Sequence, residues 1–420
     1  MNVLPLILLI LTFNFIFVLP LDDYVSSIIQ NAGYTPETHN VETEDGFILT
    51  LHRLKKDNTQ VVFLMHGLFQ TASVWVYDGP KKSLAFMLFE AGYDVWMLSA
   101  RGTSLSAQHK TLSPEEEKYW DFSFHEIGFY DLPATVDYIL GTTRQAQLHY
   151  VGHSQGGMVF LIFLSMRPQY NAKIRSSYLL APASYMIHFT FIFSPLLDIG
   201  YKSRYEVAET MKRLKFYSIG FRTPLVYEFV PAFCDLASEI CMFISYLFLG
   251  PDSGQLDKKT FVSKLAKYTA DNIALKQLWH FIQLMHTDRF QMYDNMAENQ
   301  AVYGSDEIPE YNLTNINIPL VVFYGTNDVL VNASDVETLL TRIRTIDTIK
   351  LPWGHMDFIS GKDAPKLINR YIIKALKTYP YVAPPELTTV PPSEYRANPN
   401  FFEWISEVVG NFSKMITNRN

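Results

Sequence analysis

Ser154 lies in the string Gly152-His153-Ser154-Gln155-Gly156. A strand-like apolar run from Gln147 to Val151 enters the string, and a helix-like apolar run from Met158 to Met166 leaves it. A serine between glycines is commonly no more than a loop. A serine at a strand-to-helix turn is different, because the turn lifts its hydroxyl above the sheet rim at the N-terminus of the next helix, placed to attack a carbonyl. The turn is so tight that the positions two before and two after the serine must be small, and Gly152 and Gly156 meet that condition.

A hydroxyl is a weak nucleophile until a base takes its proton. Of the eleven histidines, only His355 follows the last predicted strand, in Pro352-Trp353-Gly354-His355. An acid must hold that imidazole in the correct tautomer and stabilise its charged form. Asp328 is the candidate, since Thr326-Asn327-Asp328 stands at the carboxyl end of the strand-like run Ile318 to Gly325. Asp335 falls within a predicted helix, Asp347 precedes a strand and Asp357 follows the histidine too closely. The chain order Ser154, Asp328, His355 is that of serine hydrolases of the α/β type. In such sites two backbone N–H groups hold the oxyanion. The loop His66-Gly67-Leu68, after the buried-strand run Gln60 to Met65, offers the Leu68 N–H, with Gly67 permitting close approach; the Gln155 N–H is the second donor. His66 and His153 flank the site and read as structural.

These side chains need a sheet whose carboxyl edge collects them. Val41 to Leu51 reads as two strands around a Glu-Asp-Gly turn, a hairpin signal. Val25 to Ile29 and Leu84 to Glu90 read as helices, Tyr93 to Leu98 as a strand, and Ser99 to Ser113 as a loop at the same edge. Tyr130 to Leu140 has helical spacing, and Ser177 to Ala181 is a further strand. The alternation predicts a mostly parallel sheet with helices on both faces, an α/β class. From Ala183 to Glu310 it stops; Phe189 to Leu197, Phe229 to Leu249 and Ile273 to Met285 read as apolar helices of an inserted cap or lid. A helix over Ala333 to Ile343 and a strand over Thr348 to Leu351 complete the core. The expected organisation is a signal peptide over 1–20, a core in two parts over 21–182 and 311–379, the helical insertion over 183–310, and a tail over 380–420.

The net charge is −7 and no Lys/Arg block occurs, so composition gives no argument for nucleic acid. There is no Walker A string, no His-Glu-x-x-His, no Cys-x-x-Cys and no internal repeat, so no metal or cofactor site is expected. Leu4 to Leu19 is short for a bilayer span and reads as a secretory signal, with an uncleaved anchor as the alternative. Asn312, Asn332 and Asn411 each open an Asn-x-Ser/Thr glycosylation string. Cys234 and Cys241, the two cysteines, are candidates for a bridge in an oxidising compartment. In one continuous helix they would lie about 10.5 Å apart along the axis, whereas a disulfide needs Cα atoms within about 7 Å. Either the helix breaks between them or they remain thiols. In the tail, Tyr379 to Pro392 is proline-rich, and Phe401 to Ile416 carries apolar residues at helical spacing, suited to docking on its own domain or on a membrane surface.

These residues resemble the acid lipase family, the gastric and lysosomal acid lipases and their insect relatives. The likeness runs roughly from Tyr24 to Tyr379. It is carried by Val41-Glu42-Thr43-Glu44-Asp45-Gly46, His66-Gly67-Leu68, Gly92-Tyr93-Asp94-Val95-Trp96, Tyr130-Asp131-Leu132-Pro133-Ala134-Thr135 and the string around Ser154. The resemblance implies an α/β-hydrolase core, a largely helical cap with a lid, secretion or lysosomal delivery, no cofactor, and hydrolysis of triacylglycerols or cholesteryl esters at a lipid–water interface. It places the triad on Ser154, Asp328 and His355 and the oxyanion donors on Leu68 and Gln155. Two features depart from the family. Leu98-Ser99 replaces Gly-Asn ahead of Ala100-Arg101-Gly102, in a loop expected near the pocket, and the cysteine spacing differs. Two other readings compete: a carboxylesterase or acyltransferase acting on smaller esters, and a lipid-binding protein that kept the fold without the activity.

Overall fold

The strands assemble from hairpins and crossovers in the order that the sequence pattern predicts. In the computed structural model, which describes residues 23–189 and 194–379, β1 (Pro36–Glu42) and β2 (Phe47–Leu54) pair antiparallel around the predicted Glu-Asp-Gly turn. Gly46 closes that turn at φ +95°, in the left-handed region that glycine enters without strain. β3 (Val61–Met65), β4 (Asp94–Ser99), the short β5 (Gln108–His109), β6 (Leu148–His153) and β7 (Ile174–Leu180) follow. After the insertion, which contains β8 (Ser218–Ile219) and β9 (Ile273–Ala274), the chain returns as β10 (Leu320–Gly325) and β11 (Asp347–Leu351). The main sheet runs β1-β2-β4-β3-β6-β7-β10-β11, with β5 beside β2. From β4 to β11 every neighbouring pair is parallel, so the loops leaving these strands gather at one edge. The predicted signal segment, the proline-rich tail with its apolar helix, and Asn411 lie outside the described residues.

Both faces of the sheet are covered, and the central strands β3 and β10 are accordingly buried and apolar along their length. Along β3, Val61, Phe63 and Met65 point into one core while Val62 and Leu64 point into the other. Helices α1 (Tyr24–Asn31) and α2 (Leu84–Glu90) cover the second face. The first is covered by α3 (Leu132–Thr143) and α4 (Gln155–Met166). α4 is buried on all sides from Gln155 to Ser165, which explains why it shows no polar stripe. Each large apolar side chain it buries contributes about 1.5–3 kcal/mol. Gly128 lets the preceding turn lie directly on it, since a Cβ there would stand 2.7 Å from the Val159 carbonyl oxygen.

The insertion carries α5 (Ser194–Lys202), α6 (Arg204–Arg213), α7 (Val230–Leu236), α8 (Ser238–Leu249), α9 (Phe261–Tyr268) and α10 (Leu275–Leu284). Two sequence expectations are corrected here. Ile273-Ala274 is not the start of a helix but β9, which pairs antiparallel with β8 within the mainly helical insertion. Asp347 opens the last strand rather than preceding it. The apolar run Phe229 to Leu249 is two helices bent by 120° at Ala237, the break that the cysteine spacing left open. Beyond the sheet's return, α11 (Ala333–Leu340) ends three residues before the expected Ile343, and α12 (Arg370–Leu376) closes the described chain.

Candidate active site

β6 delivers Ser154 into a turn at φ +56°, ψ −120°, a conformation that costs any residue with a side chain. The surrounding backbone holds it there. Ser154 N–H donates to the Leu180 carbonyl at 2.9 Å, and the N–H groups of Gly157 and Met158 donate back to the Ser154 carbonyl at 2.9 and 3.2 Å. The small residues are required by backbone contact. A Cβ at Gly152 would stand 2.6 Å from the Gly156 backbone, and one at Gly156 would stand 2.3 Å from the Met65 carbonyl oxygen. Neither obstacle is a side chain that could move aside. Gly156→Ala is therefore expected to destabilise the fold by about 3 kcal/mol or more, read as a shifted urea midpoint, with loss of activity.

The loops after β10 and β11 bring the two partners to the same edge. They are pressed together at Gly325, where a Cβ would lie 2.1 Å from the Trp353 carbonyl oxygen. His355 Nδ1–H donates to Asp328 Oδ2 at 2.7 Å, which leaves Nε2 to accept the Ser154 hydroxyl at 2.8 Å. Asp328 Oδ1 accepts from the N–H groups of Leu330 and Val331 at 2.9 and 2.8 Å, so its carboxylate is fully occupied and aimed. The rival aspartates lie elsewhere. Asp335 binds His188 at 2.7 Å, Asp347 meets the Tyr371 hydroxyl, and Asp357 accepts from Gly354 N–H at 2.6 Å.

Gly67 lies against Ser154, and a Cβ added to it would stand 3.0 Å from the serine Cβ, so the loop after β3 borders the nucleophile. Among the described residues neither the Leu68 nor the Gln155 N–H has an acceptor. Two histidines frame the site. His66 Nε2 accepts from Ala100 N–H at 3.0 Å while Nδ1–H donates to the Gly67 carbonyl at 2.8 Å; burial pushes its pKa down to about 4, so it is a neutral strut. His153 Nε2–H donates to the His355 carbonyl at 3.1 Å, and burial holds this ring far below the ordinary histidine range.

An ionic cluster that the sequence does not announce underlies the motifs themselves. Arg101, buried, binds Asp45 at 2.5 and 2.9 Å and Asp131 at 2.6 and 2.8 Å, with Phe47 under its guanidinium at 4.2 Å. The Glu-Asp-Gly turn, the Ala-Arg-Gly loop and the Tyr-Asp-Leu helix start thus meet at one point. Each motif is visible in the sequence; their pairing is not. Residues 98–102 do not line the cavity described below, but Ala100 N–H bonds His66, the neighbour of Gly67 in the cavity wall, so this loop lies near the pocket as expected. Cys234 and Cys241 are bonded, with Cα atoms 5.7 Å apart, because the helix breaks between them. Asn312 is exposed, its side chain accepting from Thr314, and Asn332 caps α11 by accepting from Ser334 N–H at 2.9 Å. No cluster of three metal-ligating side chains occurs among the described residues.

A cavity of about 1370 Å³ opens beside Ser154 and His355 and runs under the insertion. Its walls include Leu68, Met186, Phe233, Ile244, Phe248 and Trp279. A serine, its base and an oriented carboxylate at one end of a large apolar cavity can open an ester that carries long acyl chains.

Comparison with known proteins identifies the family and the fold. Residues 25–79 match the partial alpha/beta-hydrolase lipase region, and residues 60–207 match the alpha/beta hydrolase fold. The chain is 36% identical to Lipase 1 of Drosophila melanogaster, covering 86% of this chain and 81% of that protein. It is 33% identical to the lysosomal acid lipase/cholesteryl ester hydrolase of Macaca fascicularis, over 84% and 91% of the two chains. It is also 33% identical to human gastric triacylglycerol lipase, over 84% and 90%. The crystal structure of a candidate lipase from Sulfolobus solfataricus superposes with a TM-score of 0.58 at 15% identity, over 82% of this chain and 94% of that one, which shows the fold.

Proposed function

The chain belongs to the lipase family of the α/β-hydrolase fold that includes the insect, gastric and lysosomal acid lipases, and from that premise we propose that it hydrolyses triacylglycerols or cholesteryl esters at a lipid–water interface. Ser154 Oγ attacks the ester carbonyl as its proton passes to His355 Nε2. The tetrahedral oxyanion is held by the N–H groups of Leu68 and Gln155. His355 then gives its proton to the departing alcohol oxygen, leaving an acyl-Ser154. Water, deprotonated by the same imidazole, opens the acyl-enzyme and returns the serine. Asp328 stays ionised throughout and stabilises the imidazolium.

The observation that carries this reading is the union of that constellation with the apolar helical hairpin of α7 and α8. Its inner side chains, Phe233, Ile244 and Phe248, line the cavity. Its outer ones stand in solvent: Leu236 is 91% exposed, Phe243 64% and Ile240 55%. An apolar patch of this kind marks a contact surface, and its continuity with the cavity wall supports contact with the lipid phase supplying the substrate. The Cys234–Cys241 bridge and the exposed Asn312 fit an oxidising lumen, hence a secreted or lysosomal enzyme.

The test is hydrolysis of a soluble short-chain ester, an emulsified long-chain triacylglycerol and a cholesteryl ester from acid to neutral pH, with Ser154→Ala beside each. Long-chain turnover that rises at the emulsion surface and is lost in the mutant supports the reading; turnover of the short ester alone replaces it with a carboxylesterase. The double substitution Leu236→Ser, Phe243→Ser should weaken emulsion binding at least about tenfold, since each loses about 1.5 kcal/mol or more of apolar burial. Turnover of the soluble ester should stay within about twofold, because neither side chain touches the site.

A further inference from the structure

We infer that the segment from Asp271 to Gln277 of the insertion positions both halves of the oxyanion hole. This rests on the assignment of Leu68 and Gln155 as its donors. On the first side, Phe69, the neighbour of Leu68, is held at φ +59°, a conformation a bulky residue keeps only under constraint. Its carbonyl accepts from Asp271 N–H at 2.9 Å, and its ring meets Phe221 edge-on at 4.9 Å. Asp271 is itself immobilised. Its fully buried carboxylate accepts from Ser104 N–H and Oγ–H at 2.7 and 2.6 Å, from Asn272 N–H at 2.7 Å and from the Tyr24 hydroxyl at 3.1 Å. The same Tyr24 hydroxyl lies 2.9 Å from Thr71 Oγ1, on the loop that carries Leu68, and the Arg222 guanidinium lies over the Tyr24 ring at 4.1 Å.

On the second side, Gln277 Nε2–H donates at 3.0 Å to Oε1 of Gln155, the residue after the nucleophile. Both side chains are buried, and Gln277 Oε1 accepts from Ala274 N–H at 3.3 Å. Between Asp271 and Gln277 runs β9, stiffened by its pairing with β8. One short, rigid piece of the insertion therefore fastens the loop of one donor and the side chain of the other. Donors of an oxyanion hole act by being fixed before charge develops, and displacement of reacting groups by about 1 Å costs about a hundredfold in rate. Asp271 and Gln277 are positioning residues that touch no substrate.

The experiment is steady-state turnover of a soluble short-chain ester, with thermal melting of each variant. Gln277→Leu keeps the volume and removes the donor; kcat is expected to fall about tenfold or more with KM unchanged, while Tm falls only modestly because the protein stays folded at the assay temperature. Asp271→Asn should lower kcat in the same way, because its amide brings donors to a site filled by donors. A double-mutant cycle adds a readout that packing alone would not move: in a Gln155→Ala background, Gln277→Leu should cost nothing further. Unchanged kcat in folded Gln277→Leu, or additive losses in the cycle, overturns the inference. Absence of Ser154-dependent turnover in the unaltered chain overturns instead the site assignment on which it rests, and the inference with it.

Discussion

Ser154→Ala is expected to lower ester turnover by about ten-thousand-fold or more while the fold remains intact. The loss is large because the serine is the group that forms the acyl intermediate, and its hydroxyl is already engaged by His355 Nε2 at 2.8 Å. His355 and Asp328 keep their own bond at 2.7 Å without it, so little structure is lost. The residual rate comes from substrate binding and the oxyanion donors. A second substitution separates chemistry from architecture. Ser154→Gly is equally inactive but at least as stable as Ser154→Ala, because glycine alone adopts φ +56°, ψ −120° without strain. Covalent labelling by an active-site phosphonate, followed by mass, checks the chemical half; thermal melting checks the other. Labelling that persists in Ser154→Ala would place the nucleophile elsewhere.

Arg101→Met is expected to destabilise the protein by about 3–5 kcal/mol at neutral pH, to be read from urea unfolding. The substitution keeps bulk and removes charge, so the cost is electrostatic. It strands Asp131, wholly buried, whose carboxyl burial already pushes up to about 6 with the arginine beside it. Asp45 loses the partner that keeps its carboxyl below the ordinary range against the desolvation that raises it. The sign of the pH dependence follows for each group. Asp131, raised in the folded state, contributes stability at low pH that is lost as pH rises through about 6. Asp45, lowered in the folded state, contributes stability at neutral pH that is lost as pH falls through the carboxylate range. Without Arg101 the Asp131 carboxyl takes up a proton more readily, and the intact protein loses its Asp45 contribution in acid. The penalty of Arg101→Met should therefore be smaller at pH 5 than at pH 7.5; a penalty that grows toward acid would refute this account of the cluster.

The meeting of Ser154, Asp328 and His355 could be read from the sequence because it is written locally. A serine flanked by glycines two positions away, between a strand and a helix, specifies its turn by steric exclusion alone. Asp328 and His355 each follow a strand of a parallel sheet, and parallel strands bring such loops to one edge whatever their separation in the chain. The hairpin at Gly46 and the alternation of strands and helices are likewise matters of short-range turn chemistry and periodicity. What tertiary structure decided is everything that depends on which distant groups meet. Arg101 shows an arginine that needs carboxylates but does not say that they stand 56 residues before it and 30 after it. Ile273-Ala274 has the apolar character of a helix start and becomes a strand because Ser218-Ile219 offers it a ladder. No glycine or proline marks the break at Ala237, so the fate of Cys234 and Cys241 rested on how α7 and α8 pack. Gln277 reaches Gln155 across 122 residues with no signal in either segment. Turns and periods are set by neighbours along the chain, whereas the pairing of buried polar groups is set by the packing that removes them from water and leaves each one only the partners it brings near.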